Sequence, residues 1–105
     1  MRQVEQMEGE AFRRAAIFNQ ITDERCRQDS KWGGAAHDDS HTTEEFVQLI
    51  EGYAGWARTM AGMGSQEKAR HRLIQVAALA VAACETIDRK LGKESRHAAA
   101  APWIA

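Results

Sequence analysis

The single proline of this 105-residue chain is Pro102, and four of its eight glycines gather at 33–34 and 62–64 instead of recurring between short runs. Helix breakers are therefore absent from most of the chain, and a sequence punctuated so sparsely cannot make the frequent turns a sheet needs. The expected fold class is all-α: three main helices forming an oligomeric helical bundle.

Periodicity places the three helices. In the first, Val4, Met7, Ala11, Ala15, Phe18 and Ile21 recur at spacings of three and four, a stripe turned toward a partner. Thr22, followed by Asp23 and Glu24, has the form of a fresh N-cap with acidic first-turn residues, which predicts a kink or short break near Asn19. The second helix starts at a capping box, Thr42 with Glu45. Phe46, Leu49, Ile50, Tyr53, Trp56 and Met60 then repeat at helical spacing until GMGSQ, residues 62–66, ends it.

The third helix opens at Ser65 with Glu67 in its first turn and runs to Gly92, which suits a left-handed C-cap, with Lys90 and Lys93 favouring the C-terminal dipole. Every residue from Val76 to Cys84 is apolar, so this helix must be covered on more than one face. Three helices do not easily surround one of their own number, and the alanines allow close backbone approach, so a second subunit is expected as the cover. Residues 1–92 read as one helical domain and 93–105 as a tail without clear period, carrying Trp103 and Ile104.

Fourteen basic against fifteen acidic side chains give a formal charge of -1, which argues against long nucleic acid or a membrane surface as partner. No apolar run has the length of a membrane span or the flanks of a signal peptide, and Cys26 and Cys84 lie far apart without a CxxC pair. A cytoplasmic protein with two free thiols is expected.

Chemistry concentrates in ERCRQDSKWGGAAHDDSH, residues 24–41. Arg25, Arg27, Gln28 and Lys31 offer donors for a phosphate grip. Trp32 offers a flat surface for a base, and Gly33 with Gly34 permits close backbone approach. His37, Asp38, Asp39 and His41 supply metal ligands or acid and base groups. The same residues have plainer uses: Trp32 as a core plug, Arg25 and Arg27 in pairs with Glu24, and Asp38, Asp39 and Ser40 as helix-capping and turn residues.

ITDERCRQDSKWG, then TTEEF and RLIQVAALAVAACETIDRK, resembles the small MazG-like all-α nucleoside triphosphate pyrophosphohydrolases of phages and bacteria, over roughly residues 20–90. The resemblance implies a helical bundle that oligomerises around nucleotide sites, with magnesium held by an EExxE set on one helix and ExxD on a later one. Glu44 and Glu45 match the first two positions, but Gln48 stands at the third, and Arg72 and Gln75 fill the later pair. Two amides and a guanidinium in place of three carboxylates remove most of the charge that holds magnesium beside a triphosphate.

The expected function is therefore nucleotide binding without catalysis and with no required cofactor, through Arg25, Arg27, Gln28, Lys31, Trp32, Tyr53 and Arg72. A phage-type protein of this kind, acting in the host cytoplasm, would sequester a nucleotide or cyclic-oligonucleotide immune signal as a homo-oligomer, dimeric or higher. The alternative is a magnesium-dependent pyrophosphohydrolase whose altered metal site uses His37, Asp38, His41, Glu44 and Glu45. A helical protein-interaction module is the third reading.

Overall fold

Helix α1 runs without interruption over Arg2–Trp32. The break expected near Asn19 is absent, because Thr22 does not cap: its hydroxyl donates to the Phe18 carbonyl one turn back at 3.1 Å, which satisfies it inside a continuing helix. The computed structural model describes residues 2–92, and the tail with Lys93, Trp103 and Ile104 lies outside them.

Gly33 and Gly34 then take φ of 106° and 68°, a left-handed turn that glycine adopts without a Cβ clash. A fourth element follows where the sequence suggested only a loop: the single turn α2, Gly34–Asp38. Helix α3, Thr43–Gly62, carries the expected capping box in full. The Glu45 backbone N–H donates to Thr42 Oγ1 at 3.1 Å and the Thr42 N–H donates to Glu45 Oε1 at 2.8 Å.

Helix α4, Gln66–Lys90, follows a short turn at 63–65. Ser65 occupies its N-cap position with its backbone carbonyl accepting from Ala69, but its side chain makes no capping bond. At the other end Gly92 has the expected left-handed φ, 67°. Helices α3 and α4 form the most extensive interface, and α1 packs next most closely on α4.

Helix α4 is central: Ala69, Gln75, Ala78, Leu79, Ala82, Ala83 and Thr86 are all buried, and the four alanines among them let its neighbours approach closely. Phe46 from α3 packs on Ala82 and Ala83 to make the apolar core. The side of α4 carrying Ala80, Val81 and Cys84 stays exposed, so packing by α1 and α3 leaves part of the apolar run open.

Among the described residues nothing covers most of the stripe of α1. Its buried residues are Glu24 and Gln28 alone, while Val4, Met7 and Phe18 are more than half exposed. The radius of gyration, 16.3 Å, exceeds the roughly 13 Å of a compact chain this long. The long first helix thus reaches beyond the packed α3–α4 hairpin. Cys26 and Cys84 are both free, as expected, and among the described residues no helix is long and apolar enough to cross a membrane.

Candidate functional site

The residues named from the sequence fall into two places. At the junction of α1, α2 and the C-terminal end of α4, Arg25 is nearly enclosed, its side chain 12% exposed. Nη2 reaches Asp29 at 2.9 Å and both Asp38 and Glu85 at 3.3 Å, and Nη1 donates to Gln28 Oε1 at 3.2 Å. Its Nε is buried with no hydrogen-bond partner among the described residues. A guanidinium thus stands where three carboxylates converge, held by residues 13 and 60 positions away in sequence.

Arg27 is engaged as well. Its Nε and Nη2 donate to the two oxygens of buried Glu24 at 2.8 and 2.6 Å, and Gln28 Nε2 adds a third bond to that carboxylate at 3.1 Å. The hydrogen bonds from Arg27 outweigh burial and hold the Glu24 pKa below its ordinary range; the same pairing raises that of Arg27. Because the folded-state pKa is depressed, the stabilisation by Glu24 is complete above its ordinary value of 4.5 and is lost as the pH falls through the lowered one. Urea unfolding of the wild type and Glu24→Gln between pH 3 and pH 7 should show the acid-side decline reduced in the variant; identical profiles would remove Glu24 as its source.

Trp32 is half-buried and stacks on the His37 ring at 6.1 Å and 24° between planes, with Lys31 Nζ 5.7 Å from the indole centroid. His37 and His41 meet at 3.3 Å between Nε2 atoms. Glu45 is held in the capping box, whose Thr42 N–H, with His41 nearby, draws its pKa below the carboxylate range. Glu44 stands exposed in the first turn of α3.

The second place lies between α3 and α4. Arg72 lays its guanidinium carbon 4.4 Å from the Trp56 ring centroid and 5.8 Å from that of Tyr53, and the two rings meet edge to face at 5.3 Å. Nη1 donates to buried Gln75 at 3.0 Å. Arg25 and Arg27 are ion-paired, whereas among the described residues no carboxylate lies within 4.0 Å of Arg72. A stacked guanidinium that keeps its charge unpaired is suited to a phosphate, and the adjoining ring to a base.

Surface clefts surround this stack. Lys68, His71 and Arg72 line one of about 460 Å³ with Met60 and Glu67. Glu67 and His71 also border a cleft of about 330 Å³ that reaches Arg27 and Arg70. A groove of about 360 Å³ adjoins the other side, lined by Gln48, Tyr53 and Trp56 among others. Lys68, Arg70 and His71 lie outside the motifs that point to a nucleotide site, although KARHR at 68–72 places four basic residues in five positions at the start of α4.

The positions that resemble a magnesium set do not fit that ion. Gln48, Arg72 and Gln75 supply no anionic oxygen, and Glu45 is committed to its cap. Among the described residues no group of three or more His, Cys, Asp and Glu side chains is gathered for a metal.

Comparison with protein-family models, curated proteins and solved structures gives no significant match. The likeness to MazG-like enzymes therefore rests on the motifs themselves.

Proposed function

We propose that this protein binds a nucleotide ligand without cleaving it, at the α3–α4 groove organised by Arg72. The observation that carries the reading is the Arg72 guanidinium stacked on Trp56 with no carboxylate partner among the described residues. Trp56 is half exposed and leaves ring surface for a base. Lys68 and Arg70 add positive charge for phosphates along the same end of α4, and His71 adds a ring nitrogen for hydrogen bonding. Tyr53 supports the stack, and Arg27 borders the adjoining cleft.

The ligand class is a nucleoside triphosphate or a cyclic oligonucleotide, and the biological role is sequestration of a nucleotide signal in the manner of a phage anti-defence protein. Homo-oligomerisation belongs to the same proposal. Val4, Met7 and Phe18 expose an apolar stripe on α1, and Val81 adds exposed apolar surface on α4.

Purified protein incubated with a panel of nucleoside triphosphates and cyclic oligonucleotides, with magnesium or with EDTA, tests the reading by thermal shift and product formation together. Stabilisation that persists in EDTA without product is the expected result. Magnesium-dependent release of pyrophosphate or monophosphate would overturn it in favour of the hydrolase.

A further inference from the structure

The HDDSH segment plays no part in the nucleotide groove, yet it is held in a specific geometry. Helix α2 ends at Asp38, and the chain continues as a turn in which Ser40 and His41 N–H groups donate to the His37 and Asp38 carbonyls at 3.1 and 3.0 Å. This keeps His37 and His41 about one helical turn apart. The end of α4 clamps the segment: Arg89 donates to Asp39 at 3.0 Å and Lys90 to the His41 carbonyl at 2.8 Å.

The two imidazoles approach edge to face at 64° with their Nε2 atoms 3.3 Å apart. Two nitrogens bound at about 2.0–2.1 Å to a tetrahedral ion are separated by about 3.3–3.4 Å. The opposite nitrogens meet carboxylates: Asp38 Oδ1 is 3.4 Å from His37 Nδ1, and Glu45 Oε1 is 3.8 Å from His41 Nδ1. Those carboxylates favour the proton on Nδ1 in each ring, the tautomer that leaves Nε2 as a lone-pair donor. Both are themselves anchored, Asp38 by Arg25 and Glu45 by the Thr42 N–H.

We propose that His37 and His41 form a two-imidazole chelate for a borderline divalent transition ion such as Zn²⁺ or Ni²⁺. Asp38 and Glu45 are positioning residues, one behind each ring. Two protein ligands are fewer than a closed structural zinc site uses, so water or an exogenous donor completes the coordination. His41 and Glu45 border an open groove of about 290 Å³, which gives such a donor access. Imidazole ligands select this class of ion over magnesium, so the site is separate from any carboxylate chemistry the motifs suggest.

The test is calorimetric titration of the untagged full chain with Zn²⁺ in a Cys26→Ser/Cys84→Ser background, since both thiols are exposed and would bind zinc themselves. The expected result is one saturable site per chain, weakened at least about 10-fold by either His37→Ala or His41→Ala. Proton–nitrogen NMR of the histidine side chains provides a readout in the unmutated pair: zinc should shift both Nε2 signals and leave both Nδ1 atoms protonated. Equal zinc affinity in the His37→Ala/His41→Ala variant, or the absence of Nε2 shifts at saturating zinc, would overturn the proposal. Neither readout involves a nucleotide, so failure of the groove and failure of the chelate are distinguishable.

Discussion

Arg72→Glu is expected to weaken nucleotide binding by on the order of 100-fold, about 3 kcal/mol, while changing stability little. The wild-type guanidinium donates one bond to Gln75 and lies on Trp56, so its remaining donors are available to a phosphate. Charge-assisted bonds of that kind contribute about 1.5–3 kcal/mol each, and reversal adds repulsion. Titration of the best ligand from the panel, in EDTA, checks this. Arg72→Lys should lie between the two, because an ammonium keeps the charge but loses the planar stack and the fork. Unchanged affinity in Arg72→Glu would sink the groove as the binding site.

Arg25→Ala is expected to do the opposite, costing about 3 kcal/mol of stability, or more than about 10 °C in Tm, with little direct effect on ligand affinity in the protein that remains folded. Asp38 is the reason. Its side chain is only 7% exposed and its Oδ2 faces Arg25, so truncation leaves a buried carboxylate with the His37 ring as its remaining neighbour. Asp29 and Glu85 are about half exposed and lose less. Thermal unfolding beside ligand titration separates the outcomes. A stable Arg25→Ala protein that has lost its ligand would instead return the phosphate grip to the ERCRQ segment.

Both predictions turn on how three arginines that look alike in sequence differ in the fold. Arg25 and Arg27 stand in the stretch that most resembles a nucleotide motif, and both are ion-paired with carboxylates. For Arg27 the partner was visible, since Glu24 lies three residues back on the same helical face. For Arg25 it was not: Asp38 arrives through the Gly33–Gly34 turn and Glu85 from the far end of α4. The aromatic stack on Arg72 was equally hidden, because it joins α3 to α4 across the hairpin.

The elements themselves were open to local reading. The Thr42–Glu45 capping box, the turn at 62–66 and the left-handed Gly92 all depend on residues within a few positions of each other, and all three are present. The continuous α1 and the short α2 escaped that reading for related reasons. Thr22 carries a hydroxyl that caps a helix or bonds back within one, and the choice belongs to the surrounding helix. The turn carrying α2 is pinned by Arg89 and Lys90, about 50 residues away.

That the chain is helical, where α3 and α4 begin and end, and that the apolar run of α4 is too broad for a simple amphipathic helix can all be read from the order of residues. Those properties follow from local hydrogen bonding and from periodicity along one helix. Which guanidinium stays unpaired among the described residues, which carboxylates meet at Arg25, and that two histidine Nε2 atoms stand 3.3 Å apart all follow from packing between helices. Electrostatic pairing depends on separations of a few ångströms between side chains on different helices, and the packing of α1 and α3 against α4 sets them.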